Sequence, residues 1–125
     1  MAITGAHVLL YTSEAEQLRA LLRDVFGWRH VDAGEGWLIF ALPPAELGVH
    51  PAEMPTYESG VRHEFSLMCD DIHSTIRELR AKGVDVRERT KDEGWGITTT
   101  IRFPGGPEVM LYQPRHPIAA SLERG

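Results

Sequence analysis

A few side chains of this 125-residue sequence are of the types that hold metal ions or move protons: His7, His50, His63 and Glu108. Neutral imidazole is a common ligand for zinc, iron, nickel and related divalent ions. A carboxylate can complete such a set, or act as a base beside a carbonyl that the ion polarises. One histidine at the start of a strand is ordinarily a hydrogen-bonded packing residue. Two at equivalent places in a repeated unit can face one another across a pseudo-two-fold axis, with an ion between them. His7 and His63 are expected to stand in that relation.

The repeat that would position them is legible along the chain. The first half opens with an apolar, β-prone "AHVLLYT". Ser13 and Glu16 then make an S-x-x-E capping box, which predicts a helix start. Leu18, Leu21, Leu22, Val25 and Phe26 follow at helical spacing, and Gly27 closes the helix. Next come "WRHVD", a glycine-rich turn at Ala33–Gly36, "WLIFAL", and a short "ELGVH" after Pro43 and Pro44. "PAEMPTYESG" reads as a linker. The second half repeats the order. "RHEFSLMC" is a predicted strand, and Asp70 or Asp71 caps a helix whose inward face is Ile72, Ile76 and Leu79. Gly83 ends it, and "VDVRERT", "WGITTTIRF" and "EVMLYQ" are further strands. The anchors keep step: His7 with His63, Gly27 with Gly83, and Glu35-Gly36-Trp37 with Glu93-Gly94-Trp95. The two EGW triplets are expected to be hairpin turns in which Gly36 and Gly94 supply the unusual backbone angle. Each half therefore reads β-α-β-β-β, with modules at residues 1–56 and 57–125.

A sheet covered by a helix on one face leaves the other face bare. Two such sheets side by side form a curved mixed sheet around a cavity, and alternate residues of each strand face it. His50 at the end of "ELGVH", with Glu46 on the same face, is the first half's last-strand candidate. Glu108 and Met110 are the second half's, and either can be the partner of His50. Tyr112 shares their face and is a candidate to line the cavity. Trp37 and Trp95 can stack on a planar ligand, although core packing is the commoner role. His30, His73 and His116 are read as surface residues, and Arg62 and Arg102 as surface charge able to hold an anion. Cys69 is read as a packed strand residue, since free cysteine is usually buried.

Composition narrows the class. Hydrophobic residues make up 42% and charged residues 25%, as in ordinary globular domains. The net charge of −5 argues against a general nucleic-acid binder. No apolar run is long enough to span a bilayer. The opening "MAITGAHVLLYTSEAEQ" lacks a basic region followed by a long apolar stretch, so no signal peptide and a cytoplasmic location are expected. A single cysteine agrees with that.

Over residues 4–114 the sequence resembles the vicinal oxygen chelate superfamily, the glyoxalase, bleomycin-resistance and extradiol-dioxygenase group. The likeness rests on the duplicated order, on "GAHVLLYTSEAEQLRALLRDVFGW" and "RHEFSLMCDDIHSTIRELRAKGVDV", and on the closing "FPGGPEVMLYQPRHP". The resemblance implies an α+β fold and a divalent ion (zinc, nickel, iron or manganese) between the sheets. It also implies a homodimer whose site can use both chains. His7, His63 and His50 match the family's ligand positions. The fourth falls on Met110, where the family carries a glutamate, with Glu108 one inward step earlier; a thioether suits soft ions and not hard ones. Ring cleavage by iron is then the least expected chemistry. Lyase- or isomerase-type carbonyl chemistry, with Glu108 as ligand or base, is expected first. Metal-free sequestration of an antibiotic-like small molecule is the alternative.

Overall fold

The computed structural model describes residues 5–49 and 63–119. The fold is α+β, with strands in antiparallel and mixed sheets and few helices. In chain order the elements are α1 (Ala15–Ala20), continued by a π-helical turn at Leu21–Val25, then β1 (His30–Asp32), β2 (Leu38–Phe40), β3 (Ser66–Met68), α2 (Ile72–Ala81), β4 (Asp85–Val86), β5 (Lys91–Asp92), β6 (Gly96–Arg102) and β7 (Glu108–Pro114). β1 and β2 form a two-stranded antiparallel sheet of their own. The larger sheet runs β3-β7-β6-β4, with β5 also paired to β6. β3 lies parallel to β7, and the other pairs are antiparallel.

The core lies on one face of the larger sheet. Val86, Ile101, Phe103, Val109 and Leu111 meet Ile72 and Ile76 of α2 and Leu18 and Leu22 of the first helical segment. In register, Ile101 stands opposite Val109 and Thr99 opposite Leu111, so these alternate positions point to the helices. Phe26 stacks edge-on against Trp28 and Phe103, at centroid distances of 5.3 and 6.1 Å.

Helix α2 forms as the sequence predicts. Asp71 takes the extended conformation before it, and its carboxylate accepts from Ser74 N at 3.2 Å. This satisfies one of the N–H groups that a helix start leaves unpaired. Asp71→Ala is expected to lower stability by about 1 kcal/mol without altering the fold, as read by urea denaturation. Gly83, at φ +82°, ends α2, and Gly27, at φ +69°, ends the first helical segment. The capping box does not form. Helix α1 has no side-chain cap; instead Thr12 Oγ1 accepts from Glu14 N and donates to Pro104 O at 2.7 Å. That second bond ties the chain before α1 to the β6–β7 turn. Gly105 in that turn has φ +88°, and a Cβ there would collide with Thr12 Oγ1.

Both EGW triplets are hairpin turns. Gly36 and Gly94 have φ +83° and +85°. In each turn an aspartate at the strand end caps the loop backbone: Asp32 Oδ1 accepts from Gly34 N at 2.8 Å, and Asp92 Oδ1 from Gly94 N at 2.9 Å.

The expected first strand departs from prediction. Residues 7–12 make no strand, and Val8, Leu9, Leu10 and Tyr11 are exposed. Residues 46–49, the described part of "ELGVH", are likewise without strand pairing. A strand exists only where a neighbouring strand takes its backbone hydrogen bonds, and among the described residues no strand lies beside either segment. The linker and His50 lie outside the described residues. Among the described residues no helix is long and apolar enough to cross a membrane.

Candidate functional site

The face of the larger sheet opposite the helices carries the residues able to do chemistry. The register arranges them in cross-strand rows. Asp85, Arg102 and Glu108 form one row across β4, β6 and β7. Thr100, Met110 and Ser66 form the next, across β6, β7 and β3. Lys91, Thr98, Tyr112 and Met68 form the third. The face grades from charged at one end, through hydroxyl and thioether groups, to an aromatic end.

At the charged end a small hollow is lined by Asp85, Arg87, Thr100, Arg102 and Glu108. Arg87 Nη2 donates to Glu108 Oε2 at 3.4 Å, between exposed side chains. Such a pair contributes little to stability, but it leaves Glu108 engaged. A larger hollow of about 490 Å³ lies between the start of α1 and the β6–β7 turn, bordered by Ser13, Glu14, Leu21 and Phe103 among others. It opens widely to solvent and, although Asp85 and Arg102 border it, it includes none of His7, His63, Glu108, Met110 and Tyr112, so its size does not make it the site.

At the aromatic end Tyr112 is 8% exposed. Trp95 packs edge-on against it at 5.5 Å, and the His116 ring lies at 5.8 Å. Gly96 makes this possible. A Cβ there would stand 2.9 Å from Gln113 O and 3.1 Å from Tyr112 Cδ2, closer than packed atoms tolerate. Tyr112 Oη and His116 Nε2 are 3.1 Å apart. Burial, and then the charge of Glu46, push the phenol above its ordinary range. The strand end is fastened by Arg115, whose Nη1 donates to both Asp92 oxygens at 2.6 and 2.7 Å. The Arg115 guanidinium, and then Gly94 N–H, hold the Asp92 carboxyl below the usual range.

The residues singled out from sequence fall in different places. Met110, Tyr112 and Glu108 share the open face. Trp95 borders it. Trp37 does not: it is 64% exposed on the β1–β2 side, with the Arg19 guanidinium 4.8 Å above its ring, so it is neither packed in the core nor part of this face. His7 is exposed in the unpaired opening segment, and His63 is exposed just before β3. Ser66 and Met68 face the open side, and the same alternation continued backward passes through Glu64, not His63. Among the described residues no three His, Cys, Asp or Glu side chains converge as a cation site. Cys69 is half-buried, and desolvation pushes its thiol up, in keeping with a packing role.

His116, read from sequence as a surface tail residue, is the one that sequence reasoning missed. Its contacts are with Tyr112, four residues before it, and with Glu46 from the far half of the chain. The i, i+4 spacing was visible, but nothing local announces that the tail folds back.

The profile of the glyoxalase/bleomycin resistance protein/dioxygenase superfamily matches residues 5–111. Solved structures with the same fold include TnmS3, an antibiotic binding protein from a Streptomyces species. It is 23% identical with a TM-score of 0.63, covering 91% of this chain and 98% of that one. A member of the same superfamily from Sphaerobacter thermophilus is 21% identical with a TM-score of 0.61, covering 90% and 99%. Lactoylglutathione lyase from Agrobacterium tumefaciens is 21% identical with a TM-score of 0.58, covering 90% and 96%. No curated protein matches the chain. The profile spans nearly all of the described strands and helices, and the chain belongs to the glyoxalase/bleomycin resistance protein/dioxygenase superfamily.

Proposed function

We propose that the chain binds a small organic molecule on the open face of its larger sheet, without a resident metal ion, in a cavity completed by a second copy of itself. The observation that carries this reading is the row structure of that face. Met68, Met110 and Tyr112 offer apolar and aromatic area, while Ser66 and Thr100 offer hydroxyls between them. A concave, mostly apolar surface with a few fixed polar groups is what small-molecule sites are made of. Methionine side chains adapt to irregular ligands. The reading is of the same kind as antibiotic binding by TnmS3.

A divalent ion fits the donors among the described residues poorly. A thioether stands at the centre of the face, and His7 and His63 are exposed on segments without strand pairing among the described residues. Lyase or isomerase chemistry through an ion would need donors brought together from elsewhere. No step through a metal follows from the residues described.

The second copy is supported by what the first half leaves uncovered. Leu9, Tyr11, Leu47 and Val49 are 62%, 83%, 89% and 87% exposed, and among the described residues β1 and β2 pair only with each other. Isolated two-stranded sheets are marginal, and exposed apolar strands seek partners.

Metal analysis of protein purified without chelator, together with a thermal-shift screen of planar aromatic compounds, tests the reading. Metal well below one equivalent is expected, with stabilisation by some compounds. A ligand at a hundred times its Kd should add about 2.7 kcal/mol. About one equivalent of a transition metal, lost in His7→Ala and His63→Ala, would overturn the proposal in favour of a metal-dependent enzyme.

A further inference from the structure

The tail that follows β7 folds back over the aromatic end of the open face. His116 Nδ1 lies 2.8 Å from Pro117 O. A carbonyl oxygen can only accept, so Nδ1 must carry a proton. In the neutral ring Nε2 is then a bare lone pair. Its partner within hydrogen-bond distance is Tyr112 Oη at 3.1 Å. Glu46 Oε1 stands at 4.0 Å from the same nitrogen, beyond that reach, while Glu46 Oε2 accepts from Ala119 N at 2.7 Å and pins the tail in place. Turning the ring over would present carbon to both partners and lose both bonds. Tyr112 is held as a neutral phenol by burial and by the Glu46 charge, so it has a proton to give.

We infer that the Tyr112 hydroxyl donates its one hydrogen bond to His116 Nε2 and presents only oxygen lone pairs to the ligand face, so that the site selects an aromatic ligand carrying a hydrogen-bond donor, a hydroxyl or an amine. The inference rests on the binding role proposed above and names the ligand chemistry that role selects. His116 and Glu46 are positioning residues. They fix the direction of the Tyr112 hydroxyl without touching the ligand. The packing around Tyr112 is suited to this. Trp95 supplies an aromatic wall at 5.5 Å, and Thr98 lies opposite Tyr112 across the strands. A ligand with an acceptor alone would set oxygen against oxygen, and a buried polar group left unpaired costs more than a hydrogen bond gains.

Two measurements on the full chain test this. Long-range proton–nitrogen correlation spectra at mildly alkaline pH read the His116 tautomer in the wild-type protein, with no ligand and no variant. Protonation on Nδ1 is expected. Protonation on Nε2, which would turn the ring's proton toward Glu46 or Tyr112, overturns the inference and leaves the binding proposal standing. Calorimetry with naphthol and its methyl ether then compares a donor with an acceptor-only probe. Naphthol should bind roughly tenfold more tightly, the worth of about one hydrogen bond. His116→Phe frees the Tyr112 proton and should collapse that preference, and Tyr112→Phe should remove it. An unchanged preference in His116→Phe, or no binding of either probe while compounds from the screen bind, overturns the inference.

Discussion

Phe103→Ala should destabilise the protein by about 3–5 kcal/mol, as large aromatic-to-alanine changes in packed cores do. Its ring is 1% exposed. It joins the end of β6 to both helical layers, packing in one cluster with Leu18 and Leu22 on one side and Ile72 and Ile76 on the other. Phe26 meets it edge-on at 6.1 Å. Truncation leaves a cavity that neither helix can close without abandoning contacts with Ile101 and Val109, both also buried. Small domains are stable by about 5–15 kcal/mol in all, so much of the total is at stake. Urea denaturation followed by circular dichroism measures it. Trp37→Ala, which removes a larger but exposed ring, should change stability by less than about 0.5 kcal/mol by the rule for surface substitutions.

The doubly substituted Val8→Asp, Leu9→Asp chain should sediment as a monomer, whereas the wild-type chain should sediment at twice the chain mass. The opening segment is apolar, β-prone and unpaired. Another strand alongside would take its backbone hydrogen bonds and cover its apolar side chains. Among the described residues Leu47 and Val49 are likewise exposed and outside any strand, and the larger sheet ends in β3 on one side and in β4 and β5 on the other. A second copy offers both the edge and the apolar face, in an isologous arrangement that closes on itself. Charges placed in the segment oppose its burial at a cost of several kcal/mol. Because Val8 and Leu9 are outside the core of one chain, the monomer should keep its helical circular dichroism. A wild-type chain that sediments as a monomer at all concentrations would remove the second copy from the account.

Much of the second half was legible from local geometry. Asp71, the inward Ile72 and Ile76, Gly83, and the alternation of "WGITTTIRF" and "EVMLYQ" each act through local geometry, and the folded chain obeys them. The EGW turns were legible for the same reason, since Gly36 and Gly94 must adopt positive φ wherever they lie. The first strand was not: residues 7–12 read as apolar and β-prone, yet among the described residues no neighbouring strand pairs with them. The capping box failed because Thr12 found a stronger arrangement, bridging Glu14 N and Pro104 O. That bond joins residues far apart in sequence and so has no local signature. The reading of His63 turned on one step of strand register. A shift of a single residue exchanges the two faces of a sheet, and the pairing of Ser66 with Met110 puts Glu64, not His63, in line with the open face. His116 escaped notice because its value comes from Glu46, a contact no spacing rule reaches.

The most direct test of the account is calorimetric titration of a screening hit into wild-type and Met110→Arg protein, each with and without a strong chelator. Met110 lies at the middle of the open face between Ser66 and Thr100. An arginine there fills that face while leaving the buried side of β7 intact. Chelation should leave the wild-type dissociation constant unchanged, and Met110→Arg protein should fold but lose binding. Binding that disappears with chelator, or survives Met110→Arg at full strength, would contradict it.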